Sequence, residues 1–292
     1  MVLVEIFKSL RPYQWTKNLF VFAPLIFSQN IFNAPYLLKT ILAFGIFCLL
    51  SGAVYIWNDL RDIEADKLHP VKSRRPLASG RLGKTSAAIA FVFISLVGLG
   101  CALLLNLNFF ILALAYVLLQ VLYSAWLKHV VILDVLLIAA GFLLRVSAGG
   151  LVIMVDISEW ILICTFLLAL FIALSKRRHE LVFLEEDANQ HRPILEEYSP
   201  YLLDQMISVV TASTVVAYCL YTISSETVAK FGSSRLIYTV PFVLYGIFRY
   251  LYLIHKKGEG GSPESLILKD KPFLAGILLW IASVVIILYV RI

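Results

Sequence analysis

Nine runs of roughly 17 to 25 mostly apolar residues decide what this 292-residue chain can become; they lie at about 19–36, 40–57, 86–106, 109–127, 130–152, 157–175, 205–225, 236–255 and 273–290. A helix rises about 1.5 Å per residue, so each run is long enough to cross the ~30 Å hydrocarbon layer of a bilayer. Composition agrees: 60% of the residues are hydrophobic, 15% are charged, and the mean hydropathy is +0.86, far from a soluble domain. The runs predict an all-α, polytopic membrane protein with nine transmembrane helices, forming a single domain over residues 1–292. No stretch is long or biased enough to make a separate soluble domain.

Positive charge near helix ends is retained in the cytoplasm, and the Lys and Arg residues fall unevenly. With the N-terminus inside, 19 lie on the inner side: Lys8, Arg11, Lys17, the group from Arg61 to Lys84, Lys128, Lys176, Arg177, Arg178, Arg192, Lys256, Lys257, Lys269 and Lys271. Only Lys39, Lys230, Arg235 and Arg291 fall outside, and Arg145 and Arg249 sit within spans. This predicts a multi-pass protein of the cell membrane with a cytoplasmic N-terminus. The +6 net charge is then a topology signal and an attraction to the inner leaflet, and needs no nucleic acid to explain it. The first residues lack the pattern of a cleaved signal peptide. Residues 1–15 read as an interfacial amphipathic segment, with Phe7, Leu10, Tyr13 and Trp15 toward lipid and Lys8, Arg11 and Lys17 toward headgroups. Cys48, Cys101, Cys164 and Cys219 lie in apolar spans without C-x-x-C spacing, and read as small buried hydrophobes. The chain leaves room for a homo-oligomer without specifying one.

The long polar connections, at about 58–85, 176–204 and 256–272, all fall inside, so chemistry is expected to face the cytoplasm. Gly258-Glu-Gly260-Gly261-Ser-Pro263 reads as a flexible turn. A charged cluster follows the second span, and another, Ser175-Lys176-Arg177-Arg178-His179-Glu180, follows the sixth. Four spans separate them, which puts both on one membrane face and hints at an internal duplication.

The first cluster carries the chemistry. Asn58, Asp62 and Asp66 recur every four residues, so on a helix they drift about 40° per step and line one face, with Asp59 close by. Hard oxygen donors of this kind suit Mg²⁺, which keeps some waters and bridges to substrate phosphates. His69, Lys72, Arg74 and Arg75 follow, and cations so placed suit the remaining oxygens of a metal-bound diphosphate. A solvated loop whose cations only set topology explains the cations but not the Asn/Asp spacing. Asp59 reads as a ligand or as a partner behind the ligands. Lys72 and Arg75 are candidates to grip donor phosphates, and His69, with no second His or Cys at metal spacing, to shape the loop or touch phosphate.

The pattern Asn58-Asp59-x-x-Asp62-x-x-x-Asp66 resembles the first Asp-rich motif of the UbiA superfamily of intramembrane prenyltransferases. Members of that superfamily have nine helices and ordinarily a second Asp-rich motif, two carboxylate clusters then holding Mg²⁺ on a prenyl diphosphate. This chain departs there: the corresponding place holds Lys176, Arg177 and Glu180. Fixed cations in place of metal ligands suit a donor with a further phosphate. The extended first motif through His69-Pro70-x-Lys72-x-x-Arg75-Pro76, with K-R-x-x-E, is similar to the polyprenyl-phosphate phosphoribosyltransferase branch. Arg11-Pro12-x-Gln14-Trp15-x-Lys17-Asn18, Tyr123-Ser124-x-x-Leu127-Lys128 before Asp134, and Arg249-Tyr250 are similar to it as well.

The resemblance implies Mg²⁺-dependent transfer of 5-phosphoribose from phosphoribosyl diphosphate to a polyprenyl phosphate lipid, for a lipid-linked pentose precursor of a cell-envelope polysaccharide. Asn58, Asp62 and Asp66 would hold the metal, and Lys17, Lys128, Lys176 or Arg177 the acceptor or the 5-phosphate. A conventional prenyltransferase with an aromatic acceptor is the alternative, and a lipid-phosphate transporter a third reading from another class; transporters, however, gather their binding groups near the bilayer midplane.

Other charged residues carry two readings each. Glu180 suits an i,i+4 ion pair with Lys176 as well as a substrate role. Asp134, an intramembrane carboxylate about 9 Å along the axis from Lys128, is expected to line the cavity. Arg145 shares its face some 16 Å farther on and is expected to have a structural partner instead of substrate. Arg249 suits the cytoplasmic mouth and snorkelling equally. His129, His179, His191 and His255 read as interfacial residues without chemistry.

Overall fold

The computed structural model describes residues 2–184, 193–257, 266 and 269–290. The Gly258–Pro263 turn, His191, Arg192 and Arg291 lie outside the described residues. All regular structure among the described residues is helical, and close packing divides the chain into two compact units: Met1–Asp156 with Glu186–Glu197, and Ile157–Glu185 with Tyr198–Ile292.

The first unit begins with α1 (Val2–Ser9), whose Val2, Leu3, Val4 and Phe7 are exposed; Leu10 and Arg11, expected toward lipid and headgroups, are instead buried, Leu10 in a core cluster and Arg11 against Asp59. A 3₁₀ segment Pro12–Phe22 and a short α2 (Ala23–Phe27) come next. Then follow α3 (Ala34–Arg61), α4 (Ile63–Leu68), α5 (Lys84–Leu105), α6 (Leu107–Ala125) and α7 (Leu133–Ile153). Local chemistry sets several starts. The Asn33 side chain accepts from the Tyr36 amide at 3.4 Å with Pro35 in the first turn of α3, and the Asn106 side chain accepts from the Asn108 amide at 2.8 Å to start α6; both leave helix-end donors satisfied where no backbone carbonyl is available.

The core of this unit packs Phe47, Phe109 and Tyr116 among Val21, Leu25, Ala148 and Val152. Two glycines set how closely elements approach. A Cβ on Gly98 would lie 2.6 Å from Leu50 Cδ2, and one on Gly149 would overlap the Val21 carbonyl oxygen. The N-terminal 3₁₀ segment is therefore pressed backbone-first against α7.

The second unit contains α8 (Glu159–Leu184), α9 (Pro200–Ile223), α10 (Ser225–Phe231), α11 (Val240–Lys257) and α12 (Lys271–Tyr289). Ser199 caps α9 by accepting from the Leu202 amide at 3.1 Å, and Asp270 caps α12 by accepting from the Phe273 amide at 2.8 Å. Inside, the Trp280 indole donates to the Tyr218 hydroxyl at 2.9 Å, and that hydroxyl shares a 2.6 Å hydrogen bond with Thr239. These bonds settle polar groups that lipid could not.

Eight of the described helices are long and apolar enough to cross a membrane, and each matches one of the nine predicted runs. The difference is at the first run, 19–36, where the chain is 3₁₀, then a single turn and a half of α-helix, then irregular up to Asn33. Hydropathy counts apolar side chains and is blind to whether the backbone closes i→i−4 bonds. Large apolar side chains such as Ile89, Phe93, Leu96 and Leu104 are exposed along α5, the surface expected of a multi-pass membrane protein.

Candidate active site

Helix α3 ends in Asn58, Asp59 and Arg61, and α4 starts at Ile63. Asp62 sits at the joint with φ −102 and ψ 11, yet the backbone stays wound: the Asp62 amide donates to the Asn58 carbonyl at 3.0 Å and the Asp66 amide to the Asp62 carbonyl at 2.8 Å. The four-residue spacing therefore survives a change of helix.

Asn58 Nδ2 donates to Asp62 Oδ2 at 3.1 Å, and the Ser124 hydroxyl donates to Asn58 Oδ1 at 3.1 Å. Lys128 Nζ donates to Asp62 Oδ1. It reaches there from a short 3₁₀ turn, Leu127–His129, that follows α6. Ile132, just beyond, has φ 68, a strained value for a β-branched residue, and Asp134 is fully buried in the first turn of α7.

Asp59 points to a different set of partners. It is 1% exposed and accepts from Arg11 Nη2 and, at 3.1 Å, from Arg75 Nη1. The same Arg75 nitrogen donates to Asp66 Oδ2 at 2.6 Å. Arg11 is itself buried, adopts φ 52, and lies 4.8 Å over the Tyr55 ring. Burial works against its charge, but Asp59, Tyr13, Tyr55 and Asp66 together outweigh it and raise the guanidinium pKa above its ordinary value. His69 shapes its loop: Nδ1 accepts from the Val71 and Lys72 amides at 3.1 and 3.3 Å. Lys72 opens the 3₁₀ turn Lys72–Arg74 that carries the chain to Arg75. Lys17 lies on the N-terminal 3₁₀ segment and donates to Gln14 at 3.2 Å.

Within the first unit, then, the side chains form two neighbouring sets, Asn58, Asp62 and Lys128 with Ser124 and Asp59, Asp66 and Arg75 with Arg11, joined along the helix by the bond from the Asp66 amide to the Asp62 carbonyl. Sequence reasoning gave no site role to Arg11 or Ser124. Arg11 reads in the sequence as a headgroup-facing cation and as the first residue of an N-terminal motif; its partner is 48 residues away, and no local spacing announces that.

Arg145 has the structural partners expected of it. Its Nε donates to Asn18 Oδ1 at 2.8 Å, Nη1 to the Gly141 carbonyl at 2.8 Å and Nη2 to the Tyr116 hydroxyl at 2.7 Å. Asn18 in turn donates to the Ser51 hydroxyl at 3.1 Å.

In the second unit Arg177, 2% exposed, donates to Glu180 at 2.6 Å, whereas Lys176 stands 4.0 Å from the same carboxylate. The closer ion pair is i,i+3 with Arg177, a different neighbour from the i,i+4 one expected. Arg178 binds Asp204 through Nε and Nη2. Arg249 forms a two-pronged pair with Asp270, at 3.1 and 2.7 Å, a structural tie between α11 and α12.

Among the described residues no three His, Cys, Asp or Glu side chains are grouped to hold a metal ion. The candidate set is different in kind: two carboxylates and one amide. The amide end of Asn58 lies 3.1 Å from Asp62 Oδ2, close to the ~3 Å between adjacent ligands of an octahedral Mg²⁺ with ~2.1 Å bonds. Rotating the amide by 180° presents its oxygen there, and Ser124 then accepts from the nitrogen instead of donating to the oxygen; which way an amide points is an assignment. Asn58 and Asp62 thus fit a hard cation. Asp66 is held by Arg75 and must exchange that partner to join.

Oxygen donors and cations gathered at one helix end of a helical membrane protein suit an enzyme acting on phosphorylated substrates at the bilayer, and the chain belongs to the UbiA prenyltransferase family, whose model matches residues 19–269. Decaprenyl-phosphate phosphoribosyltransferase of Corynebacterium glutamicum is 33% identical over 97% of this chain and 86% of that protein. The enzyme of the same name from Mycolicibacterium smegmatis is 32% identical over 95% of this chain and 90% of its own. A UbiA homolog from Archaeoglobus fulgidus, solved bound to DMAPP and Mg²⁺, shares the fold with a TM-score of 0.74 at 20% identity, covering 98% of this chain and 99% of that one.

Proposed function

We propose that this protein transfers 5-phosphoribose from phosphoribosyl diphosphate to a polyprenyl phosphate of the decaprenyl type, releasing diphosphate, as one step toward a lipid-linked pentose for a cell-envelope polysaccharide. The observation that carries this reading is the charge pattern. Oxygen donors Asn58, Asp62 and Asp66 follow one another across the α3–α4 joint, Asn58 and Asp62 bonded to each other with Lys128 on Asp62, and Asp66 bonded to Arg75, while Lys176-Arg177-x-x-Glu180 stands where carboxylates would serve a prenyl diphosphate alone. Relatives at about a third identity bear the corresponding name.

In this reading Asn58, Asp62 and Asp66 hold Mg²⁺. The metal would neutralise the leaving diphosphate as the bond from C1 to its oxygen breaks. Arg75 and Lys72 grip donor phosphate oxygens, and Lys128 exchanges Asp62 for a phosphate when substrate arrives. Because charge builds on the leaving group, fixed cations act mainly by electrostatic preorganisation. The ribosyl carbon becomes oxocarbenium-like, by analogy with glycosidic cleavage. The acceptor phosphate is already an anion, so it attacks the opposite face of C1 with little help from a general base, and the configuration inverts. Asp59 does not touch substrate; it aligns Arg11 and Arg75. Lys17, Lys176 and Arg177 are assigned to the acceptor phosphate or the 5-phosphate, and His69 and Asp134 to shaping the site. The site would open to the cytoplasmic side of the cell membrane.

Purified protein supplied with Mg²⁺, a polyprenyl phosphate and phosphoribosyl diphosphate should yield a phosphoribosylated lipid by mass spectrometry. Turnover only with a prenyl diphosphate and an aromatic acceptor would overturn the reading. Consumption of substrate in detergent, where no compartments exist, separates an enzyme from a transporter.

A further inference from the structure

Helices α9 and α11 enclose a groove of about 560 Å³. Its walls repeat at helical spacing, with Asp204, Ile207, Thr211 and Val215 on α9 and Leu244, Phe248, Leu251 and His255 on α11. The helices run antiparallel along it: Asp204 and His255 stand 4.0 Å apart at one end, whereas the other end is wholly apolar. From Asp204 to Val216 the groove is about 18 Å long at ~1.5 Å per residue. That is close to the depth of one leaflet, half of a ~30 Å hydrocarbon layer.

Two features say what kind of molecule fits. The polar end is basic: Arg178 is bonded to Asp204, neutralising it, and exposed Lys256 and Lys257 follow His255 at the end of α11. Lysines at a membrane surface attract anionic lipid. Partway along, the Thr211 hydroxyl is buried in the wall with no hydrogen-bond partner among the described residues. The hydroxyl has almost no exposed surface in this rotamer, and a turn about χ1 would present it to an acceptor in the groove, which hydrocarbon alone does not supply.

We propose that this groove is a binding site for one anionic glycerophospholipid, with an acyl chain along the apolar wall, an ester carbonyl accepting from Thr211, and the phosphate at the Arg178, Lys256 and Lys257 end. An unsubstituted isoprenoid chain has no carbonyl for Thr211, and a zwitterionic lipid answers the basic end less well.

The test uses the full chain in bilayers containing equal phosphatidylglycerol and phosphatidylcholine, followed by mild detergent extraction and native mass spectrometry. Wild type should retain phosphatidylglycerol over phosphatidylcholine by about tenfold or more. Ala212→Trp fills the middle of the groove and should lose that retained lipid, and Thr211→Val, which keeps the shape, should retain severalfold less. Lys256→Gln with Lys257→Gln should keep bound lipid but lose the preference for phosphatidylglycerol. Equal retention of both lipids by wild type, or unchanged retention in Thr211→Val and Ala212→Trp, overturns the proposal. So does a change in the number of copies per particle in Ala212→Trp with lipid retention intact, since the groove would then seat a second copy. Should Ala212→Trp fail to fold, the Thr211→Val result decides.

Discussion

The Arg145 guanidinium donates to the Asn18 side-chain oxygen at 2.8 Å across 127 residues of sequence. It ties the centre of α7 to the N-terminal 3₁₀ segment that carries Lys17. The guanidinium is 5% exposed and its hydrogen bonds go to neutral groups. Hydrogen bonds to a buried charge are worth about 1.5–3 kcal/mol each. Asn18→Ala should therefore lower stability by about 2 kcal/mol, and Tyr116→Phe by a similar amount, measured by thermal unfolding in detergent. Full stability in Asn18→Ala would mean that the segment is held by packing at Gly149 alone.

Asp62→Asn and Asp66→Asn should each reduce turnover at least about 100-fold, roughly 2.7 kcal/mol of transition-state stabilisation, while leaving the protein monodisperse and folded. Near-normal activity in both variants would remove the metal-site proposal. Stripping divalent metal with a chelator should abolish turnover in wild type, and added Mg²⁺ should restore it.

Asp59 separates positioning from ligation. It is buried against Arg11 and Arg75, and breaking a buried pair by removing one partner typically costs about 3–5 kcal/mol. Asp59→Asn should accordingly destabilise the fold by about 3 kcal/mol and raise KM for the sugar donor through a misplaced Arg75, with kcat reduced less. A large fall in kcat at unchanged stability would instead make Asp59 a metal ligand.

The Arg249–Asp270 pair predicts a pH dependence. The hydrogen bond from Arg249 holds the Asp270 carboxyl below its ordinary range, so the folded chain binds this proton more weakly than the unfolded chain. Stabilisation from the pair is then complete above the ordinary carboxylate pKa of about 3.9 and is lost as pH falls through the lower folded value. Wild type should exceed Asp270→Asn in stability at pH 7, with the difference shrinking below about pH 4. A constant difference across that range would show that the loss does not come from the charge of Asp270, since Asn caps a helix about as well as Asp.

How far the sequence could be read follows from the reach of each interaction. Eight membrane-spanning helices were legible because apolar runs of that length have one stable solution in a bilayer. The backbone register of Asn58, Asp62 and Asp66 was legible because it is local: i→i+4 winding continues across the α3–α4 joint, although of the three side chains only those of Asn58 and Asp62 are bonded to each other, Asp66 being held by Arg75. The pairs Lys128 with Asp62, Arg11 with Asp59 and Arg145 with Asn18, 66, 48 and 127 residues apart, were not, because only helix packing brings them into contact. The same limit explains the first apolar run. Its side chains count as a span, but its backbone follows a 3₁₀ path that lies against α7 at Gly149, an arrangement with no signature in hydropathy. Local periodicity and bulk apolarity thus determined the class of fold and the spacing of the candidate donors, and which cation serves which carboxylate was decided by long-range packing.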